Sequence, residues 1–551
     1  MRPTPTAGIN GLWPGCVRAA WLCAAMSMLA ACGGGGDDKG GPGPAGAELQ
    51  VAVVFPGAST GQTRFVSSQP SGIDCGLTCS TRFALDTSVT LTAAVPSGFR
   101  LSGWGGACSG TVVTCTVRMS VARSVTLTYV VAPVASGWTD FELLGAADAG
   151  GARVGIDGAG RATAVWLQRD AGVSRRSVWT SRRAPGGEWS APALLESIDT
   201  DFVDVAVAVD ASSGRRVAVW RGATSPQVFA RAADAAGVWS TPTLINGPGN
   251  NINDLQVGID SSGNAVAVWS QTPSGSTVTS IWSNRAGSAG FWQLATQVAV
   301  AENDRQDLDP SLAVSANGQA FLVWTRNGSG VMASQAGPAG PWSTPSVLAA
   351  GAVSTGVAAP RVAADANGHA MAVWAQGARN GSNQIETTLA ARRFASGAWQ
   401  GSAALLYTPV VTPLLSDVRL SVNGTGQFVA IWAQADASIR AVKTDAAGTW
   451  GAAAVVRAAG LELLSPPQIG LDAAGGAHAT WVERSASSAG TAELWSNRLT
   501  AGGTWLPGAA QRFTPDAAGD PRIAMNDRGD AAIAYLGSGS RVIVYHLTTA
   551  R

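Results

Sequence analysis

Five aspartates recur at one place in a repeated pattern. Asp204, Asp254, Asp309, Asp417 and Asp520 each stand six residues before an Asp, Ser or Asn that opens a turn. The same place holds Gly151, Ala359 and Pro466 in the other three copies. Carboxylates gathered by a repeat offer oxygen ligands to a hard cation such as Ca2+, or acceptors to a basic or polyhydroxylated ligand. The competing reading is that each Asp bonds backbone N–H groups where the chain turns into a strand. No contiguous D-x-D-x-D-G calcium loop is present, and Ala359 and Pro466 break the arc. The second to fourth copies form its most polar sector, because acidic and amide residues also precede their aspartates, as in Asn250-Asn-Ile-Asn-Asp254.

The elements that must position these residues follow from the repeat itself. Its clearest copy is Val257-Gly-Ile-Asp-Ser-Ser-Gly-Asn-Ala-Val-Ala-Val-Trp269. Copies end at Trp166, Trp220, Trp269, Trp324, Trp374, Trp432, Trp481 and Tyr535, spaced by 49 to 58 residues. A fixed period of this size marks a repeat architecture. Asp or Asn followed by Gly between two alternating apolar runs is hairpin chemistry, since the side chain bonds local N–H groups and Gly accepts a positive φ. A third apolar run and a fourth short one follow, so each unit reads as four antiparallel strands, A to D. Period-2 alternation excludes helical repeats. Four-stranded units repeated radially make a β-propeller. The fold class is therefore all-β: a propeller of eight blades, with seven as the fallback, over residues 136–551.

The ends of the array point to closure. The last unit has A (522–525), B (531–535) and C (541–545), and then the chain stops. A D-like strand, Trp138-Thr-Asp-Phe-Glu-Leu-Leu144, precedes the first unit and is expected to complete the last blade. That arrangement removes two exposed sheet edges. The regular placement of Trp on B ends, D starts and C strands marks it as packing between blades; a ring of sugar-stacking aromatics is the alternative.

Composition narrows the partners. The net charge is +1, charged residues are 13% and no basic block occurs, which argues against nucleic acid. Three His residues leave little for a histidine-rich metal site. No cofactor is expected beyond the Ca2+ reading above, and a monomer is expected.

The start of the chain reads as targeting sequence. Arg2 and Arg18 precede an apolar run, Ala19 to Ala31, too short to span a bilayer comfortably. The run ends Leu29-Ala-Ala-Cys32, which resembles the lipobox of bacterial lipoproteins. The resemblance implies that residues 1–31 are removed, that Cys32 is lipidated with palmitate-type chains, and, with Gly33 rather than Asp following it, that the protein is sorted to the outer membrane. Residues 32–47 are a Gly/Pro-rich tether.

Residues 48–131 read as a separate small β domain. Strand-like runs cover 49–55, 88–93, 112–119 and 124–130. Four cysteines, Cys75, Cys79, Cys108 and Cys115, fall in this exported stretch and imply disulfides. Three connectivities are possible; the local pairs Cys75–Cys79 and Cys108–Cys115 are favoured, and zinc is disfavoured by the lack of nearby His. Gly72-Ile-Asp-Cys-Gly-Leu-Thr-Cys79, Gly103-Trp-Gly-Gly-Ala-Cys108 and Arg123-Ser-Val-Thr-Leu-Thr128 resemble a bacterial extracellular repeat domain related to internalin-type B-repeats. That family implies a spacer or adhesion accessory and no catalytic residue.

The propeller units resemble bacterial V-x-x-D-x-x-G-x-A-x-A-V-W repeats often described as sialidase-like in fold. A sialidase needs an arginine triad, a Tyr–Glu nucleophile pair and a general acid. Only Tyr407, Tyr535 and Tyr545 lie in the propeller, Tyr535 takes a Trp place, and the Asp-box spacing is absent. No catalytic residue is assigned. The expected function is a lipid-anchored, extracytoplasmic binding or scaffold protein with an unknown protein or glycan ligand. The alternative is a carbohydrate-binding or glycan-cleaving protein acting through the acidic mouth.

Overall fold

The computed structural model describes residues 46–54, 65–75, 78–94, 99–110, 112–131, 138, 142–145, 148–169, 175–196, 201–223, 226–299, 305–327, 329–350, 358–379, 385–407, 416–484, 492–506, 511–514, 517–537 and 540–548. The expected signal segment, Cys32 and the tether up to residue 45 lie outside them. No helix occurs among the described residues.

The small domain is two four-stranded sheets around its own core. One sheet runs Thr78–Ala84, Gly46–Val54, Arg123–Val131, Phe99–Gly106 in spatial order; the other runs Asp74–Cys75, Val66–Gln69, Ser88–Ala93, Thr114–Arg118. Gly46–Val54 pairs in parallel with Arg123–Val131, so the first and last strands of the domain lie side by side. Leu49, Val51, Val89, Leu91, Leu127 and Tyr129 fill the space between the sheets. Burial pushes the Tyr129 hydroxyl up to about 12. It donates to the Ala94 carbonyl at 2.9 Å. The domain begins two residues earlier than the expected position 48, because Gly46 and Ala47 pair with Ala84 and Phe83. The Cys108–Cys115 disulfide is formed. Cys79 is also disulfide-bonded; the side chain of Cys75 lies outside the described residues.

Among the described residues the larger part is eight antiparallel sheets in the order A-B-C-D, the fifth carrying Ala398–Trp399 as an extra short strand on its C strand. The A strands are Ala149–Ile156, Phe202–Val209, Gly249–Ile259, Asp307–Val314, Ala358–Ala364, Ser416–Val422, Gln468–Leu471 and Ala517–Met525. The A–B turns form as their residues dictate. Asp260 Oδ1 accepts from the N–H of Ser262 at 2.9 Å and of Asn264 at 2.8 Å, and Gly263 takes a φ of 85°. Asp157, Asp365, Asn423 and Asn526 repeat that pattern.

The closing aromatic of each B strand is buried, from Trp166 through Tyr535. Four indoles donate to an amide or carboxylate two residues on: Trp166 to Gln168, Trp269 to Gln271, Trp374 to Gln376 and Trp481 to Glu483, at 2.7–3.1 Å. Each apolar cluster in this part draws on two neighbouring sheets. Val217, Val219, Val228 and Ala230 of the second sheet meet Ala265, Ala267 and Trp269 of the third. The last and first sheets meet in the same way, through Ala532, Ala534, Val542 and Val544 against Ala162, Ala164 and Trp166.

The last sheet takes its fourth strand from the start of the array. Glu142–Leu143 pairs antiparallel with Arg541–Leu547, and Trp138 bridges to Leu547. Its A strand begins at Ala517 rather than at the expected Arg522, because a bulge lets pairing continue past that point. Two buried histidines border this seam. His546 Nδ1 accepts from Arg183 Nη1 at 2.7 Å, joining the last sheet to the first. His478 meets Trp138 edge-on at 5.5 Å. Burial, aided by Arg183 and Arg498 respectively, holds both imidazoles down to about 4. Their neutral forms are thus favoured in the folded state. That stability is present above the ordinary pKa of 6.5 and is lost as pH falls from there through about 4, by roughly 3 kcal/mol for each ring. Urea denaturation of His478→Gln should show a shallower loss over that window than the native chain. An unchanged pH slope would remove His478 from the acid response.

Candidate functional site

The predicted aspartates sit where the sheets converge. Next to each of seven A strands the register with strand B slips by a residue, giving a β-bulge. In six of these the slip spans the place the aspartates occupy in the repeat; in the second sheet it falls one residue earlier, at Val203, and Asp204 pairs with Arg221. Asp254, Asp309 and Asp520 have φ of 55°, 54° and 51°, and Gly151 at the matching place has 59°. Left-handed φ is open to Gly and tolerated by Asp and Asn far better than by branched residues. Backbone geometry is therefore one reason for aspartate at three of these places. Asp204 differs: its φ is not positive. The side chain of Asp417 lies outside the described residues.

The carboxylates are occupied to different degrees. Asp204 Oδ1 accepts from its neighbour's N–H, Val205, at 2.9 Å and lies 3.9 Å from Arg153. Burial pushes its carboxyl up, opposed by Arg153, Arg221 and the N–H groups of Val205 and Leu255. Asp254 accepts from Ser270 Oγ at 2.8 Å. Asp309 is pushed up by burial and then by the charge of Asp254. Asp520 is paired twice, to Arg153 at 3.3 Å and Arg522 at 2.8 Å. Among the described residues, no group of three or more His, Cys, Asp or Glu is placed to hold a metal ion.

The reading of the mouth as acidic is incomplete, because it omits the arginines. Two residues beyond the bulge stand Arg153, Arg361, Arg419 and Arg522. Gln468 holds the same place in the seventh sheet. With its amide oxygen facing the guanidinium groups, it accepts from Arg522 at 3.1 Å and Arg419 at 3.3 Å. Arg153, Arg361 and Arg419 each donate to the carbonyl just before them in the bulge, at 3.0–3.1 Å. Burial, then Arg153 and Arg419, bring Arg522 down to about 10 against the opposing pull of Asp520 and Asp204. Below this layer lies a cavity of about 410 Å3 lined by residues of five A strands, among them Ile156, Val209, Arg419, Gln468 and Met525. Five of the eight A strands thus share one cavity. The arginines were readable in the sequence as one column of the repeat, but they fall in only half of the copies.

The tyrosines are structural. Tyr535 and Tyr545 are buried and stack on each other at 6.1 Å. Tyr407 packs on Trp432, lies under Arg440, and its hydroxyl accepts from Gln434 at 3.1 Å.

No protein-family model matches the chain, and no curated protein matches it. Among solved structures it is similar to the BP39L lectin from Burkholderia pseudomallei, at 13% identity and a TM-score of 0.44, over 67% of this chain and 99% of that one. It is also similar to the six-bladed fungal lectin of Aleuria aurantia, at 12% identity and 0.31, over 64% and 95%. A third likeness is to the alpha-L-arabinofuranosidase arb93a of Fusarium graminearum, at 12% identity and 0.33, over 63% and 92%. Likeness at this level assigns no ligand.

If the bulge explains Asp254, glycine should replace it freely and valine should not. Asp254→Gly is expected to keep stability within about 0.5 kcal/mol, and Asp254→Val to lose about 1–2 kcal/mol. Ca2+ is expected to leave the melting temperature unchanged in the native chain and in Asp254→Ala/Asp309→Ala alike. A Ca2+-dependent rise lost in the double variant would restore the cation reading.

Proposed function

We propose that the chain is an exported, lipid-anchored binding protein whose eight sheets form a closed eight-bladed propeller, with the ligand at the channel mouth. The observation that carries this reading is the shared bulge. On a frame of stacked sheets it sets Asp254, Asp309 and Asp520 at one repeat place and Arg153, Arg419 and Arg522 two residues on, and Arg419 and Gln468 of that second place line a cavity. Polar side chains held by rigid strands over a concavity are what small-ligand sites require. Ring closure is supported by the strand that Glu142–Leu143 adds to the last sheet and by the apolar contact of last and first sheets.

Anchoring rests on the lipobox-like Leu29-Ala-Ala-Cys32 and the Gly/Pro-rich residues after it. The small disulfide domain then stands between tether and propeller as a spacer or docking module. Outer-membrane placement follows from Gly33 after the lipidated Cys. A second reading is a carbohydrate ligand at the same mouth. Carboxylate–guanidinium pairs such as Asp520–Arg153 and Asp520–Arg522 supply the paired acceptors and donors that sugar hydroxyls take up.

Fractionation tests the anchor. Cys32→Ala is expected to move the protein from the membrane to the soluble fraction; persistence in the membrane overturns the anchor.

The soluble Cys32→Ala chain then serves for ligand search. Thermal shift against a panel of monosaccharides, uronic acids, amino acids and short peptides is expected to give hits that weaken at least about tenfold in Arg419→Ala/Arg522→Ala. Hits that bind that variant undiminished would move the site off the channel, to the outer loops or the small domain.

A further inference from the structure

In three sheets an arginine closes the gap to the next sheet; in the sixth it does not. The place lies three residues beyond the C-strand partner of the buried B-strand aromatic. Arg182, Arg285 and Arg393 stand there in the first, third and fifth sheets. Each crosses to the turn between strands C and D of the following sheet. Arg182 donates to the Ala236 carbonyl, Arg285 to those of Gly337 and Pro338 at 3.0–3.1 Å, and Arg393 to that of Ala447. In the sixth sheet the place belongs to Lys443, at the end of strand C, Ile439–Lys443. Its ammonium group turns instead to the A–B turn of the seventh sheet and donates to the Gly475 carbonyl at 2.8 Å. The C–D turn of the seventh sheet is thereby left uncovered. Gly503 has open space where a Cβ would stand, while the matching Gly237 and Gly448 lie against the guanidinium groups of Arg182 and Arg393. A cavity of about 400 Å3 opens there between the sixth and seventh sheets.

Ala441, Leu499 and Trp505 give this cavity an apolar wall, and Gln427, Lys443 and Asp445 give it polar groups. Asp445 is exposed, so the cavity opens to solvent on that side. Trp505 is only 8% exposed, and its indole N–H has no acceptor among the described residues. The matching Trp342 of the fourth sheet donates to Ser283 of the third at 2.8 Å. Ala441 stands where Ser283 does, one residue past the partner of the aromatic, and its methyl group cannot accept. Indoles without an acceptor also occur in the sealed core, at Trp324 and Trp432. Trp505 differs in bordering a cavity from which a ligand can supply one. Asp445 is engaged on one side: Oδ1 accepts from the Thr449 N–H at 2.8 Å, and Oδ2 accepts from no described residue. The Lys443 ammonium carries three N–H groups and spends one on Gly475.

We propose that this cleft is a ligand site of its own and takes one neutral monosaccharide ring. Its polar edge holds one ammonium and one carboxylate, so it favours no net charge. A sugar ring lays C–H groups on the apolar wall. Its hydroxyls, each both donor and acceptor, serve the indole N–H, the ammonium and the carboxylate alike. A wholly apolar ligand would strand all three. A cavity of this size falls in the range of small-ligand sites. No lining residue lies on an A strand, so the proposal does not depend on the channel mouth.

The test uses the full-length Cys32→Ala chain, titrated calorimetrically with the methyl glycosides of glucose, galactose, mannose, fucose and N-acetylglucosamine. At least one is expected to bind. Lys443→Arg restores the group that closes the gap after the first, third and fifth sheets. It is expected to reach the Gly502 carbonyl, to weaken that binding at least about tenfold and to leave the melting temperature no lower. Ala441→Ser gives the Trp505 N–H an acceptor within the protein and is expected to weaken binding about three- to tenfold. Neither change removes a core side chain, so weaker binding at an unchanged melting temperature reports on the site and not on the fold.

A panel in which no glycoside binds would overturn the proposal, as would a glycoside that binds Lys443→Arg undiminished. A glycoside lost in Arg419→Ala/Arg522→Ala and kept in Lys443→Arg would overturn it too, and would leave the channel mouth standing as the ligand site.

Discussion

A single sheet of this repeat cannot cover its own faces. Each B strand is apolar on both sides: Ala265–Pro273 is buried along eight of its nine residues. Half of those side chains point each way. Four strands alone leave both faces in water, so the unit is stable only when stacked between two neighbours. The buried Trp at the end of strand B supplies much of that contact, at a few kcal/mol for each large side chain removed from water. Every other feature follows from the need to stack. The turns hold strands A and B together. The N-terminal strand gives the last sheet its fourth member. The apolar contact of last and first sheets leaves neither with a bare face.

Stacking also brings a polar cost that the sequence meets locally. A buried indole N–H needs an acceptor, and Gln168, Gln271, Gln376 and Glu483 provide it from the same strand, two residues on. Side chains of strand C reach across to the neighbouring sheet. Asn284 donates to Ile245, and Asn497 to Val456, at 2.7–2.9 Å. Arg285 donates to Gly337 and Pro338, at 3.0–3.1 Å. These bonds fix the relative position of neighbouring sheets as well as their spacing, since each has a defined direction. The frame that carries the channel residues is correspondingly rigid.

Much of this was legible because the repeat writes each physical requirement several times. One Asp-x-x-Gly could be chance; seven copies of an Asp, Asn or Ser turn before an apolar run are a structural rule. The strand before the first unit was readable as the partner of the last because the last unit lacks one. In the small domain, without repetition, Thr78–Ala84 and Phe99–Gly106 went unread as strands. The second carries three glycines, which lower strand propensity and blur the alternation. The site was legible in position and only half legible in character. A column of aspartates stands out when five of eight copies agree. A column of four arginines with Gln468 does not. Its meaning appears only when the bulge sets both columns at one mouth, and Gln468 is seen to join two arginines.

The bulge explains why this mouth is free to vary. Its left-handed position asks for Gly, Asp or Asn on backbone grounds, so a carboxylate can enter there without displacing apolar packing. The position two residues on holds Arg153, Ala206, Gln256, Ser311 and Arg361. Gln256 shows what structure asks of that place: it accepts from the N–H of Leu312 at 2.9 Å and donates to the Pro310 carbonyl, tying its strand to the next. A neutral amide meets that need. Four guanidinium groups exceed it, and Asp520 answers two of them by pairing with Arg153 and Arg522. Stacking thus accounts for the frame, and the bulge for three of the aspartates. The arginines two residues beyond the bulge are what neither constraint demands.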